Sequence, residues 1–203
     1  MSYRVNAAAI TQARKIIKGT GQAVRLAQFR TVNRVTKTFR TEASKLIRDQ
    51  VRLKKDYVDR HLTITKTASL QNPSSVITAR YRPTRLMRFG GKQLSTRARK
   101  AAGDQMRAIA PGRKQAGVSV HVSRQGSRKK MRKAFLLPLN NGNGFGVFTR
   151  TGKGRNSVEH LYGPSVNQVF RTTMKDLEPT IRRELQAEFK RQFNFARQKE
   201  TKR

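Results

Sequence analysis

The densest cluster of chemistry-bearing side chains is the run Arg124-Gln-Gly-Ser-Arg-Lys-Lys-Met-Arg-Lys133, in which Arg124, Arg128, Lys129, Lys130, Arg132 and Lys133 supply six cations. Set on a loop, they can steer a phosphate backbone but cannot read base edges. No aromatic is interleaved, which disfavours stacking of single strands. No helix-turn-helix, zinc-finger or ribonucleoprotein signature accompanies the run. A loop ordered by an acidic protein neighbour, or one simply solvated, fits the same residues, so the sequence leaves DNA and acidic protein both open.

Acid–base and metal chemistry find little to work with. The chain has eleven Asp plus Glu, and between Arg60 and Val158 only Asp104 is acidic. Glu184 and Glu188 stand four apart on a helical pattern, the spacing of a solvated face paired with arginines. His61, His121 and His160 lie far apart, and neither Asp59 near His61 nor Glu159 beside His160 belongs to a metal-ligand spacing. No Gly-x-Ser-x-Gly elbow is present. Gly142-Asn-Gly144-Phe-Gly146 lacks the rest of a dinucleotide fingerprint. Thr151-Gly152-Lys153-Gly154 resembles the end of a Walker loop but has Gly154 where Ser or Thr must hold magnesium. The expectation is a chain with no catalytic residues, no metal and no cofactor.

The elements that must position these residues follow from periodicity. Ala7 to Ile17 fits a short helix stopped by Gly19 and Gly21, and a longer one runs from about Gln22 to Gln50. Val32, Val35, Phe39, Ala43 and Leu46 supply its stripe. Lys54 to His61 reads as a third, short helix. From Leu62 the period changes to alternation with threonine, and after the turn Asn72-Pro-Ser-Ser75 a second strand covers Val76 to Tyr81. Ala98 to Ala108 is a short helical candidate, and Gly117 to Ser123 alternates as a strand. Ala134 to Leu139 and the stretch after the Asn140–Gly146 turn complete a small, mostly antiparallel sheet. A helix from about Val166 to Ala196 follows, with a break or kink expected before Pro179 and a frayed tail beyond. The fold class is therefore α+β: long N-terminal helices, a small mostly antiparallel sheet, and a long C-terminal helix. The 203 residues fit one domain: residues 1–61 are its helical N-terminal region, 62–158 a basic β-rich region, 159–197 a turn and helix, and 198–203 a tail.

Composition adds a partner. Forty-six Lys plus Arg give a formal net charge of +35, which a lone compact body of this size would feel as self-repulsion. A polyanion or an acidic protein is expected beside it. Hydrophobic residues are 35% of the chain and tryptophan is absent, so the core is expected to be small and supported by neighbouring copies or partners. Cysteine is absent, which excludes disulfides. Met1 to Gly19 carries cations along its length, unlike a signal peptide or anchor.

The order of pieces, and above all Ser157-Val-Glu-His-Leu-Tyr-Gly-Pro-Ser-Val-Asn-Gln-Val-Phe170, resembles the phage minor tail protein Z family, in which a short strand ending in Leu-Tyr-Gly-Pro-Ser-Val runs into the final helix. Arg34 to Thr67 is similar to that family's N-terminal helices and first strand. Ser157-Val158 stands where the family often has Pro-Ile. The resemblance implies a single tail-completion-like domain and a structural virion protein at the head-proximal end of a phage tail. It further implies a homo-oligomeric ring acting in head–tail joining or DNA placement, beside neck, connector or tail-terminator proteins. It implies assembly in the bacterial host cytoplasm, and no run in the sequence approaches the roughly 20 apolar residues a membrane span needs, so no membrane partner is expected. Tyr162, Gly163, Pro164 and Ser165 are then an interface or an architectural turn. The competing reading is a free basic nucleic-acid-binding protein with a steep salt dependence.

Overall fold

The computed structural model describes residues 7–140, 144–154 and 156–201. Residues 141–143 of the expected Asn140–Gly146 turn lie outside them. The class is α+β: among the described residues α1 (Ala7–Gln50) and α2 (Lys55–His61) precede ten short strands, and α3 (Val166–Thr201) follows them. The strands are β1 (Leu62–Lys66), β2 (Val76–Ala79), β3 (Thr84–Arg85), β4 (Lys92–Arg97), β5 (Arg113–Val120), β6 (Lys129–Met131), β7 (Ala134–Pro138), β8 (Phe145–Arg150), β9 (Val158–His160) and β10 (Tyr162–Gly163). They form four small sheets, β1-β2, β10-β3, β4-β5-β6 and β7-β8-β9, rather than one. Two compact units result, one of residues 1–42, 63–78 and 174–203, the other of 43–62 and 79–173.

Both expected helix breaks are absent. Gly19 and Gly21 lie inside the unbroken α1. A glycine costs a helix interior only about 1 kcal/mol relative to alanine, which the alanine-rich flanks of a 44-residue helix absorb. The buried positions Ala23, Ala27, Thr31 and Val35, then Ala43, Ile47 and Val51 beyond the half-buried Phe39, recur every four residues. Each such step turns the line about 40° at 3.6 residues per turn, so the buried line winds around α1, whose two ends belong to different units. Pro179 likewise sits within α3 without ending it. Lys175, whose carbonyl loses the hydrogen bond that Pro179 cannot donate, lies on an exposed stretch where water can replace the bond. The helix continues to Thr201, past the expected end at Ala196.

In the first unit, α1 and α3 run antiparallel: Arg30 lies over the Phe195 ring at 5.8 Å, and Arg34 meets Glu188 at 3.5 Å. Burial pushes the Glu188 carboxyl up, but hydrogen bonds from Arg191 and Gln192 and the charges of Arg191 and Arg34 outweigh it and hold it below the usual range. Asn33 of α1 reaches the end of the β1-β2 hairpin. Its amide donates to the Ala68 carbonyl at 3.0 Å and accepts from the Ala68 N–H at 2.9 Å, completing the backbone pairing that a neighbouring strand would supply.

The second unit holds the large fully buried side chains, among them Phe89, Ile47, Leu62, Val58, Val118, Val147 and Val166. The helix expected over Ala98–Ala108 is instead a braced loop joining β4 to β5. Asp104 accepts from the Arg107 N–H, and its own backbone pairs with Ile109. Gly103 and Ala108 take left-handed φ values of 79° and 53°, which a helix does not permit. β4 has a single aliphatic residue and carries no apolar alternation. What holds it is Gln93, whose Nε2 donates to the Gly117 carbonyl at 2.7 Å while its Oε1 accepts from the Leu136 N–H at 3.1 Å, tying two sheets together.

Candidate functional site

The basic run is not a loop of six equivalent cations. Lys129 and Lys130 lie in β6, paired with β5 through Val120↔Lys129, Ser119↔Lys130 and Val118↔Met131. Alternation along a strand sends their side chains to opposite faces. Arg132 and Lys133 form the two-residue turn into β7, and Arg124 sits in a bend that the Val51↔Ser123 bridge begins. All six are exposed.

Two of the six are held by neutral oxygens. Arg128 Nη2 donates to the Gly90 carbonyl at 2.6 Å and to the Ser119 carbonyl and hydroxyl, each at 3.1 Å. Arg124 Nη1 donates to the Arg48 carbonyl at 3.3 Å, and its N–H to the Gln50 carbonyl at 3.0 Å. The bend is closed by His121, which sequence spacing left without a role. Arg52 Nη1 donates to His121 Nδ1 at 2.6 Å, so the ring accepts there and its Nε2–H donates to the Gly126 carbonyl at 2.8 Å. The imidazole bridges the chain after α1 to the bend. His61 does the same elsewhere, donating from Nδ1 to the Tyr57 carbonyl and accepting from Arg80 at Nε2, each at 2.6 Å.

The Tyr162–Ser165 segment divides by residue. Gly163 pairs with Thr84 across β10-β3, and a Cβ there would lie 2.5 Å from the ring of the fully buried Phe89. The site needs a hydrogen rather than a special backbone angle. Ser165 Oγ accepts from the Gln168 N–H at 3.1 Å while Gln168 Oε1 accepts from the Ser165 N–H at 2.8 Å, a reciprocal capping box that starts α3. The Ser-x-x-Gln spacing carried that signal in the sequence. Replacing Ser165 with alanine is expected to lower stability by about 1 kcal/mol, and Ser165→Thr to recover most of it, measured by urea unfolding. Pro164 is half-buried between these two residues, and the Tyr162 side chain is 51% exposed.

His160 underlies Tyr162. Its ring stacks on Phe148 at 4.5 Å and leans on Tyr162 at 4.3 Å, and a Cβ at Gly146 would fall 2.8 Å from its Nε2. That nitrogen is buried without a hydrogen-bond partner among the described residues. Burial, then the charge of Arg85, depresses the His160 pKa below 6.5. The unfolded chain therefore takes up this proton first. The contribution of a neutral His160 is complete above about pH 6.5 and lost as pH falls toward and through the depressed folded value. Thermal unfolding of the wild type should lose stability relative to His160→Phe over that window and run parallel to it above. Parallel curves throughout would remove His160 from the pH response.

Among the described residues no group of three or more His, Asp or Glu is placed to hold a metal ion, and no helix is long and apolar enough to cross a membrane. Glu188 is committed to arginines, and Asp104 to Arg107 at 2.7 Å. No curated protein and no solved structure matches the chain. A family model for prophage minor tail protein Z, a structural component of phage tails, matches residues 6–199. With nearly its whole length inside that match, the chain belongs to the prophage minor tail protein Z family.

Proposed function

We propose that this tail protein is a non-enzymatic ring component at the head-proximal end of the tail, where it helps join head to tail and positions the DNA that passes through. The observation that carries this reading is a net charge of +35 on a chain whose basic run holds Arg124 and Arg128 with carbonyl and hydroxyl oxygens rather than carboxylates. Such cations keep their full charge for a partner outside the chain. A closed ring, formed when one heterologous interface repeats through a closing rotation, concentrates that charge around a channel. Phosphate contacts there are independent of base sequence. The reading includes residence in the virion, assembly in the host cytoplasm, and neighbours among connector and tail-terminator proteins.

The deciding measurement is quantitative mass spectrometry of density-purified virions, with the copy number of this chain set against that of the portal. A fixed ratio of about one-half or one supports a stoichiometric ring. Absence from virions sinks it and leaves an assembly factor or a free nucleic-acid binder, which a salt-dependent DNA titration separates. A second test addresses the basic run. Arg128 braces β5 to the Gly90 turn and is unsuitable for a charge test. Replacing Lys129, Lys130 and Lys133 with alanine should leave the melting temperature unchanged and lower DNA retention in particles. Wild-type infectivity and retention would remove these lysines from the mechanism.

A further inference from the structure

The braced loop between β4 and β5 does more than connect them. Together with β5, β7 and β8 it lines an open cleft of about 400 Å³ in the second unit, far in sequence from Arg124–Lys133 at most of its wall. Arg107, Arg113, Lys114 and Arg150 form its polar sides, while Ile109, Phe135 and Leu137 contribute the apolar floor. Ile109 and Phe135 are buried, and Leu137 is half-buried.

The three arginines are held in place. Arg113 donates from Nε to the Ser95 hydroxyl at 2.8 Å and from Nη2 to the Ser95 carbonyl at 3.0 Å. Arg150 donates to the Gly154 carbonyl at 3.3 Å and lies over the Phe135 ring at 5.7 Å. Among the described residues lining the cleft Asp104 is the one carboxylate, and Arg107 already engages it, bonding also to Gln115 at 2.8 Å. What remains is excess positive charge in fixed positions around an apolar floor.

We propose that this cleft binds an acidic peptide segment of a neighbouring protein, with an aliphatic side chain on the floor and flanking carboxylates on Arg113, Lys114 and Arg150. Three observations select that occupant. Duplex DNA offers phosphates on a rigid cylinder and leaves the half-buried Leu137 uncovered. A single strand would need a free aromatic face for stacking, and the Phe135 face is taken by Arg150. A second copy of this chain brings its own +35. Planar guanidiniums anchored by neutral acceptors are suited to carboxylate forks. This inference stands apart from the ring reading, because the binding belongs to the isolated chain.

The test uses two dye-labelled, end-capped peptides of equal charge, Glu-Asp-Leu-Glu-Leu-Asp and its Leu-to-Ser counterpart, titrated by fluorescence polarisation at physiological ionic strength. The leucine peptide should bind the full chain at least about tenfold more tightly. Lys114→Glu and Arg150→Glu should each weaken it by about tenfold or more. Leu137→Ser should erase the difference between the two peptides while leaving the serine peptide's affinity unchanged. Lys114 is exposed, so Lys114→Glu separates lost binding from lost folding, with circular dichroism as the check. Equal affinity for both peptides overturns the proposal, as does indifference to all three substitutions. A short DNA duplex whose binding falls with the same charge reversals, and which displaces the leucine peptide, would overturn it in favour of a phosphate site.

Discussion

Gly117→Ala should be among the most damaging single-methyl changes in the second unit, lowering stability by about 3 kcal/mol or more from strain and overpacking together. Gly117 has φ +108° in the middle of β5, and a Cβ there would lie 2.4 Å from the Met131 carbonyl oxygen and 2.8 Å from the Arg132 Cα. Both obstacles are backbone, so no rotamer change relieves them. Gly112 provides the control: its φ is +74°, yet nothing lies within 4 Å of a Cβ there. Gly112→Ala therefore carries the dihedral strain alone, about 1 kcal/mol. Urea unfolding of the two variants isolates the clash, and equal losses would mean that β6 yields. In that case Lys129 and Lys130 move with β6, and Gly117→Ala alters the Arg124–Lys133 surface instead of the stability.

Phe89→Ala should cost about 3–5 kcal/mol, the range for emptying a buried aromatic site. Phe89 is fully buried, its carbonyl accepts from the His121 N–H at 3.0 Å, and its ring occupies the space beside Gly163. The informative result is the double variant. Gly163→Ala alone drives a methyl into that ring and should cost about 1–3 kcal/mol. Combined with Phe89→Ala, the same methyl enters the space the ring vacated, so the double variant should be more stable than the sum of the two losses predicts by about 1 kcal/mol or more. Additive losses would show that Gly163 answers to something other than Phe89.

How much of this was legible in the sequence varies with the kind of interaction. The alternating or apolar runs at Leu62–Lys66, Ala134–Pro138 and Phe145–Arg150 announced their strands, and the helix expected from Val166 to Ala196 covers most of α3. β4 gave no such sign, because Gln93 secures it with amide hydrogen bonds to the Gly117 carbonyl and the Leu136 N–H. Hydrophobic periodicity does not register those bonds. Ala98–Ala108 has the composition of a helix, and the local bonds of Asp104 together with Gly103 override it. The basic run was visible as charge but not as geometry. That Arg128 belongs to the fold while Lys129 and Lys130 fall on opposite faces of a strand depends on Gly90 and Ser119, residues distant in sequence.

Arginines held by carbonyls and hydroxyls have a consequence for how this protein would behave in acid. A guanidinium locked to a carboxylate is released when that carboxylate protonates, but the oxygens of Gly90, Ser119, Ser95, Gly154 and Arg48 have nothing to titrate. Arginine itself stays charged throughout. These positions therefore present the same charge in the same arrangement from mildly acidic to alkaline solution. If the proposed acidic neighbour is present, its release on acidification is set by its own carboxylates and not by these arginines, once the His160 contribution is subtracted with His160→Phe.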